Sequence, residues 1–356
     1  MSYKGPQPFP FFVPPGALLP GSVNFGSLDP AIQTAFGKLR NRIINGDCRV
    51  QQYGGPVIFA PGSGGYGGVD RWAVNNTGPA GSGTISQQAS AVSFGGVNRP
   101  VVAQVVTSSG NSSFSVSGLR QVIEGLNSFD LIGQPIVLSF IFSTNLSGLY
   151  SVAVRDGTST QSFLASFNAV SGVPQRVILQ IPELPSNLVI PSSNAAGIQI
   201  NIGSFTASIG QPSNSWQVGN YITAAGATNW SLVSGTFIQI GEVQLESGSI
   251  VTPFERRPFG MELSLCQRYY EVDNNQLSIL WNGNATSGIG YFTMTRFMVV
   301  KRAIPTITYV NSSYQNMGGL IAGNNNGING FQTFATATAT ANSSWFASAW
   351  NASAEL

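Results

Sequence analysis

Apolar and polar positions alternate in short runs along the middle of the chain, which predicts β-strands. The run 136–142 has the two-residue period of a strand, and 149–154 forms a second run followed by an Asp156-Gly157 turn. Further strands are predicted at 176–181, 197–202, 215–222 and 236–245. Short, evenly spaced strands with turn residues between them predict a two-sheet sandwich or jelly roll over residues 41–258.

Residues 259–356 predict a second, smaller β domain that begins with a short helix. The helix is expected in MELSLCQRYY, where apolar residues recur every four positions. Strands are predicted at 291–300, 306–310 and 345–352, with a turn at 342–344 before the last of them. The fold class is therefore all-β, with a jelly-roll sandwich followed by a smaller C-terminal β domain.

Residues 1–40 differ from the rest of the chain. Seven of the twenty prolines lie in the first thirty residues, which favours an extended, polyproline-like segment. A short helix is expected to follow from Asp29 and Pro30. We interpret residues 1–40 as an anchor on another protein, with a disordered tail as the alternative. The apolar side chains that need a partner surface are Phe9, Phe11, Phe12, Leu18 and Leu19.

Composition narrows the class of protein. Only 8% of the residues are charged and 42% are hydrophobic, so amides and hydroxyls must supply the polar surface. Such a surface suits a fibrous homo-oligomer or a protein that contacts sugars; a plain extracellular β-protein is the alternative. The net charge of +2 gives no electrostatic case for nucleic acid. The apolar runs are too short for membrane insertion, and the proline-interrupted start does not have the pattern of a signal peptide.

Residue types that are absent or rare limit the chemistry. The chain has no histidine, which excludes Ser-His-Asp and Cys-His catalysis and histidine-ligated metals. Cys48 and Cys266 lie in no CxxC motif and are expected to be buried free thiols. The glycine-rich stretch 62–68 is predicted as a loop and lacks the GK[ST] of a phosphate loop.

Charge is concentrated in residues 241–272, which contain eight of the thirty charged residues of the chain. We interpret this segment as a joint between the two β domains, because three arginines can clamp neighbouring carboxylates. The alternative is a hydrolase site in which Glu246 and Glu255 act as the paired carboxylates. The predicted joint residues are Glu246, Glu255, Arg256, Arg257 and Arg268.

The order and wording of several motifs resemble phage tail-fibre and receptor-binding proteins that carry a carbohydrate-binding-module-like jelly roll. The motifs are NRIINGDCRVQQYGG, VDRWAV, QPIVLSFIF, GLYSVAVRDG, GEVQLESGS, TPFERRPFGMEL and CQRYYE. They cover about residues 41–356. The resemblance implies a virion structural protein of the tail fibre, often homotrimeric, that recognises host surface polysaccharide. It implies no enzymatic activity, because the fibre family is generally not enzymatic.

The partners expected are a homotrimer, other tail or baseplate proteins contacted through residues 1–40, and host glycan. A tailspike-like enzyme that degrades polysaccharide and a purely structural baseplate or capsid decoration are the alternatives. No cofactor is expected apart from a structural calcium ion, which jelly rolls of this kind often hold; its candidate ligands are Asp47 and Asp70. Aromatic platforms are typical of sugar sites, and the candidates here are Tyr66, Trp216, Tyr221 and Trp230.

Overall fold

A computed structural model describes residues 40–79, 81–89, 93–94, 97–98, 101–109, 118–206, 210–273, 278–323 and 325–356. Residues 41–356 pack as one unit. The predicted anchor side chains, from Phe9 to Leu19, and the helix predicted after Asp29 lie outside the described residues.

The strands between Val57 and Ser247 form two antiparallel sheets and a short hairpin. The six-stranded sheet has the order β1 (Val57–Phe59), β4 (Ser82–Ala89), β7 (Val101–Ser109), β15 (Phe237–Ser247), β9 (Ile136–Thr144) and β12 (Gln175–Ile181). The seven-stranded sheet has the order β14 (Trp216–Val218), β11 (Gln161–Ala169), β10 (Gly148–Asp156), β13 (Ala196–Ser204), β8 (Leu119–Glu124), β3 (Val69–Asn75) and β2 (Gly64–Gly67). The hairpin pairs β5 (Ser93–Phe94) with β6 (Val97–Asn98).

The two sheets enclose one apolar core. Alternate residues of β9 and β10 point into it, and the Phe142 and Tyr150 rings meet across the sheets with centroids 4.9 Å apart. All nine residues of β9 are buried, and the strand pairs with β15 on one edge and with β12 on the other. The predicted all-β sandwich is confirmed.

The strands after Tyr270 form two smaller sheets. One contains β16 (Tyr270–Val272), β17 (Ile279–Ala285), β19 (Thr306–Gln315) and β22 (Ala341–Ser353), and all three of the others pair with β22. The other has the order β18 (Gly290–Arg296), β21 (Gly330–Thr336) and β20 (Ile321–Ala322). A separate apolar cluster that includes Phe331, Phe346 and Trp350 lies between these strands.

The predicted short helix is confirmed as α1, Phe259–Gln267. It starts after Pro258, whose carbonyl accepts from the Glu262 amide at 3.1 Å. Cys266 and Tyr269 pack with Ile44 and Val50, so residues from both sides of position 258 share one cluster. The predicted domain boundary at 258/259 stays a prediction.

Three local predictions were wrong. The predicted strand 215–222 is shortened to β14, because the chain after Val218 leaves the sheet edge to cover its outer face. The predicted turn at 342–344 lies inside β22, and the chain turns at residues 337–340 instead. The glycine-rich stretch forms edge strand β2 rather than a loop, and a Cβ on Gly67 would lie 2.1 Å from Val57 Cγ2. In the described part of the chain, no helix has the length and apolar character needed to span a bilayer.

Candidate ligand-binding cleft

The outer face of the seven-stranded sheet carries polar side chains at the positions that alternate with core residues. In β10, Val152 and Val154 point into the core, so Arg155 points outward. In β13, Gln199 and Asn201 alternate in the same way with the core isoleucines. The sequence therefore places amides and a guanidinium on this face.

The segment after β13 returns over the same face and forms one wall of a cleft. The amide of Asn214 donates to Leu164 O at 2.6 Å and the amide of Tyr221 to Ser162 Oγ at 3.0 Å. The amide of Ala224 donates to Ser151 Oγ at 2.8 Å. These bonds fix residues 210–224 to strands β10 and β11, so the wall has a defined position.

The cleft has a volume of about 620 Å³. Its lining consists of amides, hydroxyls, two arginines, one phenol ring and one aliphatic side chain. These residues are Asn75, Thr77, Arg120, Arg155, Thr206, Gln211, Asn220, Tyr221, Ile222 and Thr223. Among these described residues, none carries a carboxylate.

Arg155 is held at the base of the cleft by neutral acceptors. Its guanidinium donates to Gln199 Oε1 at 3.1 Å, to Asn201 Oδ1 at 3.0 Å and to Ser159 Oγ at 3.3 Å, and it also donates to Asn220 Oδ1. Burial and, less strongly, the positive charge of Arg120 lower the pKa of Arg155 to about 10, while the negative charge of Asp156 partly opposes this shift. The side chain is therefore still cationic at neutral pH.

Three of the cleft residues have a buried polar atom without a protein partner. Arg120 Nε, Arg155 Nε and Thr223 Oγ1 are buried and meet no hydrogen-bond partner within the described residues. Buried polar groups are normally satisfied. A polar ligand would satisfy such atoms, so they favour a binding role for the cleft.

The four aromatic candidates are placed very differently. Tyr221 lines the cleft. Trp216 is half-buried at the end of the sheet, with its ring centroid 5.5 Å from that of Phe163. The Tyr66 hydroxyl donates to Leu356 O at 2.5 Å, and Tyr66 is outside the set that lines the cleft.

The expectation for Trp230 is wrong. Only 1% of the residue is exposed, and its Nε1 donates to Gly203 O at 2.9 Å. The ring therefore packs in the sandwich core, where no sugar can stack on it. A tryptophan in an uncharged stretch looks the same in sequence whether it is exposed or buried.

The carboxylates proposed for a hydrolase site are engaged by the protein. Glu246 accepts from the Thr252 amide at 2.9 Å and from Thr252 Oγ1 at 2.6 Å. Glu255 accepts from the Asn41 amide at 2.8 Å and lies 3.7 Å from Arg257. Both residues are outside the set that lines the cleft.

The three arginines of the charged segment also have protein partners. Arg256 pairs with Glu242, and Arg257 donates to Glu262 Oε1 at 3.3 Å. Arg268 binds both oxygens of a carboxylate on β8, that of Glu124, at 3.0 and 2.9 Å. Contacts of this segment therefore reach strands of the large sheets as well as helix α1, while its role as an inter-domain joint stays a prediction.

The two candidate metal ligands are separately engaged. Asp70 Oδ1 and Oδ2 accept from the backbone amide and the Nε2 of Gln52, both at 2.6 Å, and Asp47 pairs with Arg49. Within the described ranges, no group of three His, Cys, Asp or Glu side chains could hold a metal ion. A structural calcium ion at these aspartates stays a prediction.

A second cavity, of about 690 Å³, lies beside β18 and residues 325–330. Its polar side chains include Arg296, Asn325 and Asn329, and all three are exposed. The cleft on the seven-stranded sheet, by contrast, contains a cation that is only 7% exposed and held on four acceptors. The first cleft is therefore the better-defined candidate site.

Comparisons with known proteins give a limited likeness. No protein-family model matches the chain, and no curated protein matches it. Among solved structures, the C-terminal family 22 carbohydrate binding module of Clostridium thermocellum Xyn10B is 9% identical, with 51% of this chain and 89% of that chain covered and a TM-score of 0.30. The CBM22-1 xylan-binding domain from Paenibacillus barcinonensis Xyn10C is 9% identical, with 55% and 95% covered and a TM-score of 0.28.

An α-L-arabinofuranosidase, MgGH51, is 14% identical with a TM-score of 0.29; 50% of this chain is covered, but only 23% of the enzyme's chain. At these TM-scores the likenesses carry no argument about the cleft.

Tyr221 is the one described lining residue that the sequence analysis named, and Arg120 and Arg155 are among those it missed. Arg155 lies one residue beyond the strand predicted at 149–154, at a position that points outward, so its place in the pattern was a usable signal. Arg120 stands in LRQVIE, a strand that the pattern did not reveal. Its approach to Arg155 follows from the pairing of β8 and β10 on opposite edges of β13.

Proposed function

We propose that the protein is a virion structural protein, a phage tail-fibre subunit that binds host surface polysaccharide in the cleft on the seven-stranded sheet. The observation that carries the proposal is the cleft itself, with its cationic base, its amide and hydroxyl lining and the Tyr221 ring. The motif resemblance to tail-fibre proteins supports the assignment to a virion.

The lining fits the chemistry of sugars. Amides and guanidinium groups form hydrogen bonds with sugar hydroxyls, and an aromatic ring packs against the C–H face of a pyranose. A volume of about 620 Å³ lies within the range of about 300–1,000 Å³ that is usual for small-molecule sites. The cleft is therefore large enough for a few sugar units.

We propose binding without cleavage. Glycoside hydrolysis usually needs two carboxyl groups that flank the scissile bond. The described lining residues of the cleft carry none, and Glu246 and Glu255 are occupied elsewhere. If purified protein released new reducing ends from bacterial surface polysaccharide, the tailspike-like alternative would replace this proposal.

Apolar side chains on the C-terminal sheets support the proposed homotrimer. In β18, Phe292 and Met294 point outward and are 58% and 57% exposed, and Leu280 on β17 is 57% exposed. A fibre subunit would cover such side chains with its neighbours. Light scattering at micromolar concentration should give the trimer mass; a monomer would contradict this part of the proposal.

Attachment to other tail or baseplate proteins through residues 1–40 is the part of the proposal that concerns the virion. Protein that lacks these residues should no longer be incorporated into assembled particles, while the remaining chain keeps its near-UV circular dichroism spectrum. Full incorporation of the truncated protein would contradict the anchor.

A microarray of bacterial surface polysaccharides tests the binding function. Wild-type protein should bind a subset, and Tyr221→Ala should weaken that binding by about 10-fold, the loss of about 1–1.5 kcal/mol expected for one ring contact. Tyr314→Ala removes a 51%-exposed tyrosine outside the cleft and serves as the matched control. If both variants bind alike, the cleft is not the glycan site; if no polysaccharide binds, a purely structural decoration is favoured.

A further inference from the structure

Two arginines converge in the cleft, and none of the described lining residues is a carboxylate. Arg120 is registered with Asn201 of β13, and Arg155 is registered with Gln199 on the other edge of the same strand. Their backbones are two strand spacings apart across the sheet, about 10 Å, and two residues apart along it, about 7 Å. Extended arginine side chains can bridge this separation, and both line the same cavity.

The charge of Arg155 is not neutralised by its contacts. Its two terminal nitrogens donate to the side chains of Ser159, Gln199, Asn201 and Asn220, all of them neutral acceptors. An arginine has five N–H donors, so only the Nε–H is left over. The structure thus fixes the position of a positive charge that contacts no described carboxylate, and the nearby Asp156 charge acts on it only from outside hydrogen-bond distance.

The neighbouring carboxylates are committed to other groups. Asp156 Oδ1 accepts from the Thr160 amide at 2.7 Å, and Oδ2 accepts from Thr160 Oγ1 at 2.5 Å, at the turn between β10 and β11. Glu355 and Arg120 both influence the pKa of the Tyr66 phenol, so Glu355 is the carboxylate to consider near Arg120. Glu355, however, is paired with Arg71. In the described residues, no ion pair involves Arg120 or Arg155.

Arg120 is the free donor of the pair. It is half-buried, its Nε is buried without a partner, and no described residue accepts a hydrogen bond from its guanidinium. A guanidinium fork binds carboxylate and phosphate through two parallel hydrogen bonds. Burial beside a second cation increases the benefit of an anion, because the attraction is weakly screened there.

We propose that the polysaccharide bound in this cleft is acidic, and that the Arg120 guanidinium binds its carboxylate or phosphate group while Arg155 supplies a second, fixed positive charge. This inference rests on the proposed glycan-binding function and specifies its ligand class. A neutral sugar would leave both cations without an anionic hydrogen-bond partner, so the cleft discriminates between ligands by charge as well as by shape.

The test compares acidic glycans with their neutralised forms. The full-length protein is titrated, by calorimetry, with a uronic-acid polysaccharide, with its carboxyl-reduced form, with a phosphorylated polysaccharide and with its dephosphorylated form. The acidic forms should bind at least about 10-fold more tightly than the neutral forms, which corresponds to one charge-assisted interaction. The difference should shrink as salt is added. If the difference is larger for the uronic-acid polysaccharide than for the phosphorylated one, the bound group is a carboxylate; the reverse result identifies a phosphate.

Arg120→Gln isolates the proposed contact. Because Arg120 has no described protein partner, the variant should fold normally and lose the preference for acidic over neutral glycans, about a 10- to 100-fold change in the ratio of the two affinities. Arg120→Lys should recover part of the preference, since it restores charge without the fork. Arg296→Gln changes the net charge equally on exposed β18 and should leave the preference unchanged.

The outcomes separate this inference from the proposed function. Equal affinity for acidic and neutral glycans, or an unchanged preference in Arg120→Gln, overturns the inference and leaves glycan binding intact. Inorganic phosphate and acetate are titrated in the same way. If they bind while no glycan does, both the inference and the proposed glycan-binding function are overturned. The absence of binding to every glycan of the panel has the same consequence.

Discussion

Replacement of Glu355 by glutamine would test the buried ion pair that ties the end of β22 to the seven-stranded sheet. The side chains of Arg71 and Glu355 are 1% and 7% exposed. Arg71 also donates to Val122 O at 2.6 Å, and its guanidinium carbon lies 3.4 Å from the centroid of the Tyr269 ring. The substitution keeps the size of the side chain and removes one of the two charges.

The expected loss follows from the burial of Arg71. Breaking a buried pair by removing one partner costs about 3–5 kcal/mol, because the remaining charge is uncompensated. The glutamine oxygen and the Val122 carbonyl still accept hydrogen bonds, so we expect the lower value, about 3 kcal/mol. At about 2.1 cal/mol/K per residue, residues 41–356 unfold with an entropy of about 0.66 kcal/mol/K. The midpoint of thermal unfolding should therefore fall by about 5 °C.

Thermal unfolding followed by circular dichroism measures this shift. Asp130→Asn is the control, since it makes the same chemical change in the pair with Arg42, where Asp130 is 42% exposed; it should cost less than about 1 kcal/mol. The double variant Arg71→Met/Glu355→Leu should lose less than the sum of its single variants. Equal shifts for Glu355→Gln and Asp130→Asn would refute the reasoning.

Three further predictions concern stability and reactivity. Burial, and then the charges of nearby carboxylates, raise the pKa of Tyr270 to about 12, above its usual value of about 10. The folded state thus holds this proton longer, and the free energy of unfolding should fall between about pH 10 and pH 12; urea titrations that show no change there would contradict it. Burial also raises the pKa of Cys48 and Cys266, so a thiol reagent should modify them only after unfolding, and rapid labelling of the native protein would be the contrary result. Gly68→Ala should destabilise more than Gly54→Ala, because both have positive φ but only the Cβ at Gly68 would meet a strand carbonyl, at 2.4 Å; equal urea midpoints would rule out the close approach.

The strands of the sandwich were predictable because their pattern reflects local burial. The run 136–142 alternates apolar residues and matches β9, and Asp156-Gly157 marks the turn after β10. Prediction failed where neighbours overrode the local pattern. Glycine-rich β2 pairs with β3 although its residues have little preference for a strand.

The candidate site was predictable only in part. Tyr221, a candidate sugar platform in the sequence, lines the cleft. Trp230, another candidate, is buried, because its position depends on the carbonyl of Gly203 and on both sheets. The two cleft arginines are 35 residues apart in the chain. Only the strand order β10-β13-β8 brings them to one face.

The sequence by itself determined the all-β class, the short helix and the burial of the two thiols, because these depend on the period and polarity of neighbouring residues. Only the tertiary structure decided which polar side chains meet. The sequence left a hydrolase site as the alternative to a joint in the charged segment 241–272, but the segment's arginines pair with carboxylates such as Glu242 and Glu124. The two arginines without an ion pair in the described residues, Arg120 and Arg155, lie in the cleft, where strand pairing brings them to one face and no described lining residue is a carboxylate.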